Sequence, residues 1–387
     1  MILTFMAFSI FPLYLLKSGG FQLVDVIIIV LSLIIIKSLD TIEISFGIYL
    51  IGPFIPYLFW VIVINSFAFM TSASGGGYII ASIQVLYCFF ILVLFAVGFR
   101  RILVSRNAAN FFYISLVAAC ITPWLLKQRT ETLRGTLSFN NPNQLAYFSI
   151  LILFMLILVN CITGLQDKKN HFQIISSILI ISLTNIFVIL SASRAGLISI
   201  VLLNIYYIYL IVRNNVGLLL FLIFSIISLS AFFSASMLNN IDAYIPHSSL
   251  DVFTKRLATK PILAVDDIYN RSIEQIKPSS DLMLVFGHGG WERPNQIDIS
   301  DMYTKEVHNS ILGILSNYGV VGMILFLIGW VLFIIRLGPY PYKSVLLLPI
   351  FIYNMSHYGL RFRLLWMALA LLAASSFFNL NKNKQLN

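Results

Sequence analysis

Long apolar runs recur along the whole chain, and they decide what it can fold into. Twelve can be drawn: residues 2–16, 23–36, 44–66, 79–98, 108–125, 143–163, 173–192, 195–212, 216–236, 309–335, 344–358 and 363–379. A helix needs about 20 such residues to cross a bilayer's hydrocarbon core. The runs are too long, and too little alternating, for strands of a β-barrel. The chain is 59% hydrophobic and 10% charged, against about 45–50% and 25% in soluble domains. That excludes a soluble enzyme, a disordered chain and a secreted disulfide scaffold. The expectation is an all-α polytopic membrane protein of about 12 transmembrane helices.

The connections between runs are mostly brief, with one exception. Residues 237–308 form a polar stretch that holds ten of the fifteen carboxylates. Long connections in compact proteins are usually functional or disordered. Trp291 and Tyr269 among Gly and Pro turn residues favour a small folded cap. The organisation reads as a membrane bundle of about nine helices over 1–236, a long loop or cap over 237–308, and a bundle of about three helices with a short tail over 309–387. The N-terminus has no basic segment and no small-residue cleavage site, so it reads as a retained first span.

Twenty-five Lys and Arg against fifteen Asp and Glu give a net charge of +10. In a membrane protein this bears first on orientation, and no nucleic-acid partner is expected. With the N-terminus in the cytoplasm, eleven basic residues fall on inner loops and seven on short outer loops, in the direction the positive-inside rule requires. By parity the long loop lies outside. Five outer short-loop positions are arginine: Arg129, Arg134, Arg194, Arg361 and Arg363. Arg256, Arg271 and Arg293 lie in the long loop. A guanidinium fork binds phosphate bidentately. Snorkelling or anionic headgroups account for any one of these residues; several on one face argue for a bound lipid phosphate.

Charged residues avoid the middle of every run, which argues against a charge-coupled exporter. The sequence has no Walker A loop, HExxH or GxSxG. Cys88, Cys120 and Cys161 form no CxxC pair. The first outer loop offers only Asp25, thin for a metal-dependent transferase. Neither a metal nor a cofactor is expected.

Four polar stretches interrupt the apolar pattern: Asn140-Asn-Pro-Asn143, Ser193-Arg-Ala-Gly196, Phe286-Gly-His-Gly-Gly290 and His308-Asn-Ser, the last followed by Gly319 and Gly322. In this order, with a long loop ahead of His308, they resemble the landmarks of the O-antigen ligase/polymerase superfamily over about residues 130–325. The resemblance implies a GT-C-like fold in the bacterial inner membrane. It also implies an inverting, metal-independent glycosyltransferase whose site faces the periplasm. The implied donor and acceptor are glycans on undecaprenyl pyrophosphate, with the lipid bilayer, a chain-length regulator and a flippase as partners. By position, Arg194 and Arg271 would hold the pyrophosphate and His308 would activate the acceptor hydroxyl. Arg134, Arg129, Asn143, Arg256, Arg361 and Arg363 are further substrate-binding candidates. Asn309, Gly319 and Gly322 belong to the structural motif, the two glycines one turn apart so that a neighbouring helix packs closely. A Wzy-type polymerase of repeat units is favoured. A ligase acting on the lipid A core, and a polysaccharide exporter or flippase, stay open.

Overall fold

The computed structural model describes residues 1–13, 21–71, 76–103, 107–126, 136–162, 171–212, 281–290, 309–338 and 341–386. Among these residues all regular structure is helical. The helices are α1 (Ile2–Ile10), α2 (Leu23–Lys37), α3 (Thr41–Ile51), α4 (Ile55–Thr71), α5 (Gly76–Leu103), α6 (Ala108–Leu125), α7 (Pro142–Ile162), α8 (His171–Ser191), α9 (Arg194–Val212), α10 (Asp281–Phe286), α11 (Ser310–Arg336), α12 (Pro341–Ser356) and α13 (Arg363–Leu386).

Six helical stretches are long and apolar enough to cross a membrane: Thr41–Thr71, Gly76–Leu103, Ala108–Leu125, Pro142–Ile162, His171–Ser191 and Ser310–Arg336. Three shorter apolar stretches join them, Arg194–Leu210, Val345–Ser356 and Arg363–Ser376. The first two apolar runs form the short helices α1 and α2. The run at 216–236 lies outside the described residues. The chain is therefore a helical membrane protein by its described part.

The run at 44–66 is longer than the sequence suggested and is jointed. A 3₁₀ turn, Gly52–Phe54, separates α3 from α4. Pro53 and Pro56 each lack an N–H, so regular i→i−4 bonding fails there. Phe54 fills the joint, with the rings of Phe89, Trp330 and Phe333 at 4.8, 6.0 and 5.8 Å.

Burial separates the helices into a centre and a shell. Every residue of α7 from Leu145 to Asn160 is buried, and so is α13 from Leu364 to Ser376. α13 packs along both α5 and α7, while α7 also meets α8 and α9. The surrounding helices keep apolar side chains outward, such as Phe59, Phe67, Val331 and Ile335. In water such a surface would aggregate; in lipid it is the solvated face. Polar pairs cross between helices inside this shell: Tyr113 Oη donates to Asn160 Oδ1 (2.6 Å), and Asn204 Nδ2 to Asn185 Oδ1 (2.9 Å). Asparagine and tyrosine serve there as interhelical glue.

Candidate functional site

The last long run is not one continuous helix. Gly319 has φ +68° and ψ −176°, a conformation essentially confined to glycine. It splits α11 into 310–318 and 320–336. A break leaves backbone carbonyls without intrahelical partners, and here two of them are met. Asn317 O accepts the Gly289 N–H (2.8 Å), and Tyr318 O accepts the Trp60 Nε1–H (2.9 Å). Gly287 (φ +88°) and Gly289 (φ +89°) take the left-handed conformation that lets this loop enter.

A Cβ on Gly319 would strike the backbone at Val285 and Gly287, and one on Gly287 would strike the backbone of Asn317 and Tyr318. The glycines of the Phe286–Gly290 turn and Gly319 are thus two sides of a single joint. This corrects the expectation that Gly319 and Gly322 share one helical turn against a neighbouring helix. Gly319 is not part of a continuous helical turn, and the last residues of the short helix α10 with Gly287 pack on it, while Gly322 faces α4 through Trp60, whose ring would lie 3.0 Å from its Cβ. The loop is fixed further by Asn65, whose Oδ1 accepts the Gly290 N–H (2.8 Å). His288 Nε2 lies 3.3 Å from Ser316 Oγ.

The other two landmarks meet on α7. Asn141 Oδ1 accepts the Asn143 N–H (2.8 Å), an Asx turn that delivers Pro142 to the first position of α7, where a missing N–H does no harm. Ser193 caps α9, its Oγ accepting the Gly196 N–H (3.2 Å). Arg194 is the first residue of α9 and is half-buried. A Cβ on Gly196 would lie 3.0 Å from that of Ala146, so the Ser-Arg-Ala-Gly turn rests against the start of α7.

The turn between α12 and α13 links these pairs. Tyr353 Oη donates to the Asn143 carbonyl. Gly359 packs on Tyr147 of α7. Arg361 is exposed; it donates to the Gly290 carbonyl (3.3 Å) and lies over the Tyr358 ring, 5.3 Å from its centre. It also borders a cavity of about 20 Å³ lined by Tyr57, Cys88, Tyr358 and Trp366. Asn309 caps α11, its Oδ1 accepting from Ile311 (2.9 Å) and Leu312 (3.1 Å). Asn143, the Ser193–Gly196 turn, Gly290 and Arg361 therefore gather at one end of the bundle through the contacts of α7 and of the α12–α13 turn, and Arg194 and Asn309 are borne on the helix starts at that end.

Arg363 sits at the same end, two residues from Arg361, with a different engagement. It pairs with Asp25 of α2 at 2.7 Å, and the carboxylate is fully buried. Asp25 also accepts from Tyr87 Oη (2.8 Å) and from the Gln22 N–H (2.6 Å). The ion pair was not visible in sequence; a lone acid opening an apolar run was its one signal. Among the described residues, no three His, Cys, Asp or Glu side chains stand close enough to share a metal ion. Arg129, Arg134, Arg256, Arg271 and His308 lie outside the described residues.

A scan of the sequence against protein-family models gives no match, and a search of curated proteins gives none.

Proposed function

We propose that the chain is an inverting, metal-independent glycosyltransferase. It polymerises oligosaccharide repeat units carried on undecaprenyl pyrophosphate into O-antigen or a related surface polysaccharide. In this reading about twelve spans form a GT-C-like bundle in the bacterial inner membrane, with the landmark end toward the periplasm. The observation that supports it is the convergence of all four polar landmarks, spread over 140–322, on that one end. Alternate connections of any helical bundle share an end; here the turns also pack directly on one another or on the same helix.

Each residue has a role in the proposed reaction. Arg194, Arg271 and Arg361 hold the pyrophosphate, with Arg134 beside them. As the bond from the anomeric carbon to the phosphate oxygen breaks, undecaprenyl pyrophosphate leaves with the electron pair. The arginines meet the charge that develops. Neutral His308 takes the proton of the acceptor hydroxyl while that oxygen attacks from the opposite face. The carrier linkage is already activated, so no ATP is consumed.

The test is transfer by purified protein, supplied with lipid-linked repeat units in the presence of a chelator. Polymer should form, and His308→Ala should lose about 10²–10⁴-fold in rate. Loss of wild-type activity in chelator would overturn the metal-independent mechanism. Deleting the gene separates the acceptors: a single repeat on the lipid A core identifies a polymerase, whereas free lipid-linked polymer beside bare core identifies a ligase.

A further inference from the structure

One hydroxyl at the landmark end holds more of the site than its size suggests. Ser310 Oγ has one hydrogen for two acceptors, Asn354 Oδ1 (3.0 Å) and the His357 carbonyl (3.1 Å), and accepts the Gly359 N–H (3.1 Å). It is buried at 3% exposure. Asn354 is fully used as well: its Nδ2 donates to Tyr147 Oη (2.7 Å) and to the Ile350 carbonyl (2.8 Å). The Tyr147 ring lies flat on Tyr353, with centroids 4.6 Å apart and planes 7° apart. The first turn of α11, the start of α7 and the turn after α12 are thus joined by Ser310, which closes the His308-Asn-Ser stretch, and by Asn354, Tyr147 and Tyr353, which no landmark contains.

The geometry fixes what this network aims. Gly359, held by Ser310, has no room for a Cβ, which would strike Asn354 and Tyr147. Tyr358 packs its ring on Gly313 of α11. Two residues beyond Gly359 is Arg361, at the Gly290 carbonyl and over Tyr358. Its backbone is therefore set by the Ser310 clamp and its head by the loop and the ring. The Gly359 N–H also reaches the His357 carbonyl (3.0 Å), so the turn closes on itself. What the Ser310 hydroxyl adds is the tie from that turn and from Asn354 Oδ1 to the first turn of α11, and its loss removes that tie.

We propose that Ser310, with Asn354, is a positioning residue that holds the α12–α13 turn so that Arg361 meets the pyrophosphate of the lipid-linked donor. The assignment rests on the glycosyltransferase reading and names residues that reading does not include. Ser310 and Asn354 touch no substrate; they act through Arg361.

The experiment measures binding of undecaprenyl pyrophosphate to the purified full-length protein, which needs no turnover. Arg361→Ala should weaken binding about tenfold, the loss of one charge-assisted contact. Ser310→Ala should weaken it by a similar factor, and Ser310→Thr, which keeps the hydroxyl, should stay within about threefold of wild type. The double variant Ser310→Ala/Arg361→Ala should bind no more weakly than Arg361→Ala alone, because the two act as a unit. A merely structural defect would add its own loss to that of Arg361→Ala. If Ser310→Ala does not yield folded protein, Ser310→Cys, close in volume and a weaker donor, carries the same comparison. Wild-type binding by Ser310→Ala, or additive losses in the double variant, would overturn the positioning role. Unchanged binding by Arg361→Ala would instead overturn the placing of Arg361 in the donor site.

Discussion

The two ends of the bundle solve the same problem with the same residues and reach different results. At each end a helix opens with a capping box whose acidic member also pairs with an arginine. In α2 the box is Gln22 and Asp25, and Asp25 meets Arg363. In α3 it is Asp40 and Glu43, and Glu43 meets Arg101, which also donates to the Ser38 hydroxyl and carbonyl, both at 2.7 Å. The two pairs are far apart. Tyr87, which touches Asp25, precedes Arg101 by fourteen residues, about 21 Å along α5. Exposure separates them through the arginines: Asp25 is fully buried and Arg363 13% exposed, whereas Glu43 is 9% and Arg101 35% exposed. A half-wet pair is screened and replaceable; a dry one is a commitment, since either partner alone is an uncompensated charge. The landmark end is the committed end.

The comparison breaks most visibly at Arg363. Arg363→Met leaves Asp25 charged and buried, and should cost about 3–5 kcal/mol of stability. Thermal unfolding in detergent reads this, and Asp25→Asn combined with Arg363→Gln should recover most of the loss. A small effect of the single variant would mean that water reaches the pair and that the two ends are alike. Next in size is Gly319→Ala at the same end. It forces a side chain into a glycine-only conformation, at about 1–3 kcal/mol, and drives its Cβ into the Val285 backbone. Glu43→Gln, at the opposite end, should cost only about 0.2–1 kcal/mol, and less in high salt. The smallest effect belongs to Gly52→Ala. Its Cβ would lie 3.0 Å from the tip of the Arg336 side chain, which can swing aside, so the change should stay within about 0.5 kcal/mol. If Gly52→Ala proves as harmful as Gly319→Ala, the joint at Gly319 is not special.

Hydropathy carries the helices well because lipid imposes one rule on every span. The run at 108–125 coincides with α6, and that at 143–163 differs from α7 by one residue at each end. Hydropathy does not see geometry inside a run. Gly319 and Gly322 read as a small-residue stripe, because nothing in Gly-Val-Val-Gly announces a positive φ. The short helix α10 has six residues, Asp281–Phe286, too few for a helical period to show inside the long polar connection. Long-range partners were out of reach for a different reason. Asp25 and Arg363 are 338 residues apart, and Asn354 looks like any amide near a span end. The landmark residues were legible as unusual composition, but what holds them together was not. That support is made of common residues whose meaning lies in their partners.

The burial of α7 on every side has one more consequence. Its residues are as apolar as those of any lipid-facing span, yet from Leu145 to Asn160 none keeps an exposed face. Such a helix enters the bilayer as a hydrophobic segment and then exchanges lipid for α8, α9 and α13. Its hydrophobicity serves insertion, and its shape serves assembly. Swaps there that preserve hydrophobicity but not volume should leave insertion intact and fail at the later step, when a helix already in the membrane finds no room among its neighbours.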